Sequence, residues 1–253
     1  MKKSFLNANT PFITEMVQVP TSRQAEEKIA AAVQDGATAI GFQMSALKEE
    51  YRTKEILTSI FEKAGDTPVY FTNYRRGFNE GKSDEELVKG LFFALDCGAT
   101  LLDVMGDTFS PAPEELTKDP KAIEKQMKLI DEIHEKGGEV LMSSHVYEFR
   151  PAERVLEIAV EQQRRGADIV KIVTGANSQE QQLENLRICN LLKQELKTPF
   201  LFLSGGTHSY LHRTVGPSLG VCMWLCFREY DDTTYPGPPL LADVLKIKQG
   251  MKL

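Results

Sequence analysis

Short apolar runs alternate along the chain with longer segments in which apolar residues recur every three or four positions. The runs read as buried strands and the longer segments as amphipathic helices, because side chains alternate across a strand and return to one face of a helix at that spacing. Strands are predicted over residues 12–19, 38–44, 68–73, 100–105, 140–145, 168–173, 199–203 and 219–227. Helices are predicted between them over 22–34, 54–63, 83–96, 120–136, 151–165 and 179–195, with a short one over 210–215 and a last one over 240–248. Thr21 or Ser22 can cap the first helix and Gly36 ends it; Ser83-Asp84-Glu85-Glu86 has the form of a capping box, and Gly98 and Gly137-Gly138 supply stops. Eight strands alternating with helices in 253 residues predict an α/β protein with the (β/α)8 TIM-barrel architecture, as one domain spanning residues 1–253. An open doubly wound sheet is the alternative, but no G-x-G-x-x-G follows the first strand. No repeat, low-complexity tract or linker divides the chain.

Composition narrows the partners. A 42% hydrophobic, 26% charged chain is ordinary for a globular protein. Its net charge of −6, from 30 basic and 36 acidic residues, gives no electrostatic reason to expect nucleic acid or an anionic membrane. An anionic ligand must then be met by local positive charge. Met1-Lys2-Lys3 runs into Asn7, Asn9 and Thr10 without an apolar core, so no signal peptide is expected, and no run reaches membrane-spanning length. A cytoplasmic location is the expectation. Cys97, Cys189, Cys222 and Cys226 suit a reducing compartment. The C-x3-C pair lies in the apolar run 221–227 with no second Cys/His pair nearby, so buried thiols are expected rather than a metal site.

Two of the apolar runs carry ionisable residues suited to chemistry. Residues 140–145 end in His145, and residues 168–173 carry Lys171; one helix-length segment separates them, so the strands are expected to be parallel neighbours. A buried lysine beside a carboxylate such as Asp103 would be a structural ion pair, whereas a buried lysine beside a histidine suits Schiff-base chemistry. Burial disfavours the ammonium form, the neutral amine attacks a carbonyl, and a histidine titrates in the range needed to move the adjacent proton. Arg213, beyond Gly205-Gly206, and Arg75 or Arg76, after the third strand, are candidate forks for a carboxylate. Glu80 is a candidate to orient His145 or one of these arginines. Residues 228–239, rich in Asp, Thr, Gly and Pro, would form a long loop after the last strand and a candidate lid.

These residues resemble the type I 3-dehydroquinate dehydratases. Ser143-Ser144-His145-Val146-Tyr147 is similar to that family's serine-histidine signature at the end of the fifth strand, and Asp168-Ile169-Val170-Lys171-Ile172 to its lysine strand. Arg213 falls where the family keeps its carboxylate-binding arginine; Phe71-Thr72 with Arg76, Glu80 and Gly81 resembles its third-strand loop; Thr234 with Pro236-Gly237 resembles its lid. The resemblance spans nearly the whole chain and is strongest from residue 140 onward.

Where the family has a glutamate-x-arginine pair after the second strand, Gln43 and Ser45 are offered instead, and Pro238 stands where it has a lid glutamine. The imine-forming residues are retained while those that read substrate hydroxyls are altered. The resemblance implies a lyase that dehydrates 3-dehydroquinate, or a related hydroxylated cyclic keto acid. Lys171 and His145 would be catalytic; Arg213, Arg76, Gln43, Ser45 and Thr234 would hold a small carboxylate substrate, with Glu80 in support. It implies no metal and no organic cofactor, because Lys171 is itself the electron sink, and a homodimer. A Schiff-base aldolase, using backbone amides of Ser204-Gly205-Gly206 for a phosphate, and a non-catalytic binding protein on the same scaffold are the alternatives.

Overall fold

The computed structural model describes residues 3–7 and 10–251. Met1, Lys2 and Asn9, on which the reading of the N-terminus partly rests, lie outside the described residues. Strands and helices alternate: β1 Phe12–Val17, α1 Ser22–Asp35, β2 Ala39–Gln43, α2 Lys54–Glu62, β3 Val69–Thr72, α3 Asp84–Asp96, β4 Leu101–Met105, α4 Pro120–Glu135, β5 Glu139–His145, α5 Ala152–Arg164, β6 Ile169–Gly175, α6 Gln179–Glu195, β7 Phe200–Gly205, α7 Tyr210–Val215, β8 Met223–Cys226 and α8 Leu241–Met251. The strands lie in one sheet in the order β7-β6-β5-β4-β3-β2-β1-β8, the sequential order of the expected (β/α)8 barrel. The helix starts follow the sequence signals. Thr21 accepts the Gln24 N–H, and Ser83 and Glu86 complete the capping box that begins α3.

The largest departure is at β8, which is shorter than the apolar run 219–227. Gly216–Leu219 closes a 3-10 turn and Gly220 takes φ 111°, a left-handed conformation that glycine adopts freely, so the chain cannot extend before Val221. Among the described residues no helix is long and apolar enough to cross a membrane.

The chain forms two compact units: the described residues up to Asp103 with Leu225–Gly250, and Val104–Trp224. In the first, Phe42 of β2, Phe71 of β3 and Phe61 of α2 meet with ring centroids 5.3–6.3 Å apart, which sets the helix-facing side of the sheet. Side chains alternate, so Gly41, Gln43, Tyr70 and Thr72 occupy the opposite face. Thr14 and Met16 join them through the register Met16↔Gly41; a Cβ at Gly41 would lie 2.2 Å from the Met16 sulfur, so the methionine fills the room a side chain would take.

In the second unit, β5 and β6 pair with Ser143 opposite Lys171 and His145 opposite Val173. Ser144 points to the helices, where its Oγ accepts from Gln162 of α5 at 3.0 Å. The fully buried Gln162 also donates to the Lys171 carbonyl and accepts the Lys171 N–H, both at 3.1 Å. Its amide thereby anchors the main chain at Lys171. A second buried polar anchor is Arg165, 2% exposed, which follows α5. Its guanidinium donates to the carbonyls of Gly106 (2.9 Å) and Thr117 (2.7 Å), to Gln126 of α4 (2.8 Å) and to Glu161 (2.8 Å). Buried donors with this many acceptors avoid the cost of an unpaired charge, and they pin both ends of the segment that leaves β4.

Candidate active site

Alternation along β5 and β6 puts Ser143, His145, Lys171 and Val173 on one face of the sheet, opposite Ser144. His145 lies two residues beyond the neighbour of Lys171, roughly 6–7 Å further along the strands. Lys171 is buried, at 4% exposure, and His145 is at the rim. The expected pair therefore sits on adjacent strands, with the imidazole nearer the C-terminal end.

The partner of the imidazole is a residue that sequence reasoning missed. His145 Nδ1 lies 2.6 Å from Glu115 Oε2, and the same oxygen accepts the His145 main-chain N–H at 2.6 Å. Glu115 closes the short turn Pro113–Glu115 on the way from β4 to α4. Glu114 and Glu115 have φ of 61° and 49°, a left-handed conformation unusual for glutamate. Glu114 holds the turn in place: its carboxylate accepts from Arg150 Nε (2.6 Å) and from Arg154 Nε (2.9 Å) and Nη2 (2.6 Å). The hydrogen bonds from Arg154, and then from Arg150, hold that carboxyl below its usual range against the effect of burial. Ser144 Oγ donates to the Glu115 carbonyl at 3.0 Å. Tyr147, exposed and at φ 61°, stacks its ring on His145 with centroids 5.9 Å apart. Glu80, the sequence candidate for the role of Glu115, is exposed in the loop after β3.

Arg213 of α7 donates through Nε to the Ser204 carbonyl at 2.6 Å, which ties its guanidinium to the end of β7. The two arginines after β3 have different partners. Arg75 forms a bidentate pair with Asp84 at the start of α3, at 2.7 and 2.8 Å. Arg76 donates from Nη2 to Gln43 Oε1 at 3.1 Å and lies 4.9 Å from the centre of the Tyr74 ring. Beneath it, the buried hydroxyls of Tyr70 and Tyr74 both donate to Asp103 Oδ2, the second at 2.5 Å. Burial, reinforced by the Asp103 carboxylate, pushes both phenols well above their usual range, so they remain donors. Asp103, offered as a structural partner for Lys171, thus receives two phenols.

Ser45 and Thr234 are the remaining candidates. Ser45 is buried, and its hydroxyl has no hydrogen-bond partner among the described residues. Thr234 uses its hydroxyl within its own loop, accepting the Asp231 N–H at 2.7 Å and donating to the Asp231 carbonyl at 3.1 Å. That loop is tied down by Lys28 to Asp231 (2.6 Å) and by Tyr230 to the Pro238 carbonyl (2.7 Å). Cys97, Cys189 and Cys226 are buried free thiols, and no group of three or more metal-ligating side chains occurs among the described residues.

The family profile described as type I 3-dehydroquinase matches residues 15–250. Over 195 residues, 75% of this chain and 71% of the other, the chain is 29% identical to the 3-dehydroquinate dehydratase of Alkaliphilus oremlandii. Among solved structures it is similar to the 3-dehydroquinate dehydratase of Geobacillus kaustophilus, with 17% identity, a TM-score of 0.82 and coverage of 98% of this chain and 93% of that one. It is also similar to the type I enzyme of Clostridium difficile with covalently modified comenic acid, with 18% identity, a TM-score of 0.81 and coverage of 99% and 98%. At these identities the structural likenesses bear on the fold alone.

Proposed function

Because the chain belongs to the type I 3-dehydroquinase family, we propose that it dehydrates 3-dehydroquinate through a Schiff base on Lys171. The observation that carries this reading is the buried lysine of β6 on the same sheet face as a carboxylate-held histidine of β5. The neutral amine of Lys171 adds to the ketone and water leaves, giving a protonated imine. That imine withdraws electrons from the neighbouring carbon, so His145 can remove its proton and then return a proton to the departing hydroxyl as water. Hydrolysis of the imine releases the enone and regenerates the amine. Lys171 supplies the electron sink, so the reaction as written uses no metal or organic cofactor.

In this reading Arg213 and Arg76 meet the substrate carboxylate, with hydrogen bonds to the Ser204 carbonyl and to Gln43 respectively helping to orient them. Gln43, Ser45 and Thr234 contact its hydroxyls, with Glu80 supporting them from the loop. The whole chain acts as one catalytic domain, and the dimeric, cytoplasmic form belongs to the same proposal. The replacement of a charged pair by Gln43 and Ser45 leaves a related hydroxylated cyclic keto acid as the second substrate to test.

The test is borohydride trapping with 3-dehydroquinate followed by intact mass, beside the rise of enone absorbance. Wild type should gain the mass of the reduced adduct and Lys171→Met should not. A wild type with neither adduct nor enone would remove this substrate, and the same assay on other keto acids would then find the replacement.

A further inference from the structure

We propose that Arg52 is the positioning residue for Arg76: it joins the two turns that follow Gln43 and Arg76, and so fixes where the Arg76 guanidinium stands. The inference rests on the reading of Arg76 as a contact for the substrate carboxylate.

Two neutral groups hold Arg76. Gln43 Oε1 accepts from its Nη2 at 3.1 Å, and the centre of the Tyr74 ring lies 4.9 Å from its guanidinium carbon. Gln43 immediately precedes the 3-10 turn Met44–Ala46, and Arg76 the 3-10 turn Gly77–Asn79, so each residue is placed by its turn. The two turns meet main chain against main chain. A Cβ on Gly77 would lie 2.5 Å from the Ser45 carbonyl oxygen. Contact of this kind sets how near the turns come; hydrogen bonds across them set their register.

Arg52 supplies those bonds. It lies half-buried just ahead of α2, and its Nε and Nη2 donate at 2.9 and 2.5 Å to the carbonyl of Leu47, which closes the first turn. Its Nη1 donates at 2.7 Å to Oδ1 of Asn79, the last residue of the second turn and 1% exposed. A guanidinium only donates, so Asn79 must face it with its oxygen and turn its amide N–H groups away. Those groups donate to the Tyr74 carbonyl at 2.9 Å and to Asn73 Oδ1 at 2.7 Å, and Asn73 donates in turn to the Leu87 carbonyl of α3 at 2.9 Å. Both supports of Arg76 therefore trace to Arg52: the Gln43 amide through the first turn, and the Tyr74 ring through Asn79. The planar fork serves the two acceptors in fixed directions, which a single ammonium cannot do. Lys82 and Glu49, 2.5 Å apart, tie the same two segments, but Glu49 is exposed and such a pair contributes little.

The test uses Arg52→Met, which keeps the packed stem and removes the fork, and Glu49→Gln, which removes only the exposed pair. Without substrate, the Nε–H resonance of Arg76, identified by its absence in Arg76→Met, reports the aromatic ring beside it. It should lie upfield in wild type and in Glu49→Gln, and return toward the value of a solvated arginine in Arg52→Met. Arg52→Lys, with one charged head in place of the fork, should move the resonance in the same direction and serves where Arg52→Met does not fold. With 3-dehydroquinate, Arg52→Met should raise KM about 3- to 10-fold, the scale of one hydrogen bond, with kcat and the trapped Lys171 adduct at saturation little changed. The same loss should appear as weaker equilibrium binding in a Lys171→Met background, and vanish when residue 76 is already changed to Met, because Arg52 acts through Arg76 alone. An Arg76 resonance unmoved by the change at Arg52, or an equal loss of binding with and without Arg76, would overturn the inference and leave Arg52 a residue of stability only. Absence of both adduct and enone in wild type would overturn the reading of the substrate, while the Arg76 resonance still decides whether Arg52 positions it.

Discussion

Gly106 lies so close to Glu115 that a Cβ built on it would come 2.6 Å from the Glu115 carbonyl oxygen and 3.2 Å from that of Ser143. Both obstacles are main chain and cannot swing away. Gly106→Ala should therefore push the turn at residues 113–115 outward, with two effects: a loss of stability of about 1–3 kcal/mol from overpacking, and a fall in kcat as Glu115 leaves His145. Thermal melts and steady-state rates, both taken well below the melting range, separate the two. Wild-type turnover in a destabilised Gly106→Ala protein would show that the turn can move without consequence for the base.

The arginine grip on Glu114 makes a related prediction at longer range. Arg154 is partly exposed and is not among the candidate substrate contacts, yet it supplies two of the three hydrogen bonds to Glu114. Arg154→Ala should cost about 1–2 kcal/mol of stability and lower kcat without affecting the yield of the trapped adduct. Because the Glu114 carboxyl is held below its usual value of 4.5, its contribution is present above that pH and lost as pH falls through its lowered pKa. Acid unfolding of Arg154→Ala should begin at higher pH than that of wild type.

Gln162 offers a test of the main chain beneath Lys171. Gln162→Leu would leave the N–H and carbonyl of Lys171 without their side-chain partners in a buried place, at a cost of about 2–5 kcal/mol. Urea unfolding should show the loss, and adduct formation should slow as Lys171 loses its fixed base. A neutral substitution would mean that these groups find other partners.

Glu15 gives the clearest pH dependence. It lies on β1 at 1% exposure, and its Oε2 has no hydrogen-bond partner among the described residues. Burial pushes its carboxyl up to about 7 from 4.5, against the opposing pull of the Arg228 main-chain N–H and of Lys28. A raised carboxyl binds its proton more tightly folded than unfolded, so the stability it contributes is present below pH 4.5 and lost as pH rises through about 7. Above that range the ionised form costs on the order of 3 kcal/mol. Glu15→Gln should come close to wild type near pH 5 and exceed it at pH 8, a divergence that paired melts would detect.

The elements were legible where local chemistry decides them. The capping box at Ser83, the stop at Gly36 and the apolar runs of β5 and β6 place their elements to within a residue or two. That Lys171 and His145 would lie on neighbouring strands was legible for a different reason: one helix-length segment separates the two apolar runs that carry them. Glu115 was not legible. It sits 30 residues from His145 in an irregular segment, and its left-handed φ is one that residue type gives no reason to expect of glutamate. Its nearest signal was indirect, two arginines at 150 and 154 spaced to converge on one anion. The different surroundings of Arg75 and Arg76 were likewise not legible, because the partner of Arg75, Asp84, depends on where α3 begins.

The buried guanidinium of Arg165 grips the carbonyls of Gly106 and Thr117 and leaves the residues between them to be fixed by other means. The segment is a span with both feet clamped to one post. The clamp fixes only where the span begins and ends, so the turn at Glu114 and Glu115 near its far foot depends also on Arg150, Arg154 and Ser144. Arg165 and the arginines that grip Glu114 thus hold the segment jointly, one at its feet and the others at its turn. A lysine in its place, with one point charge for a planar fork, would not hold both feet at once.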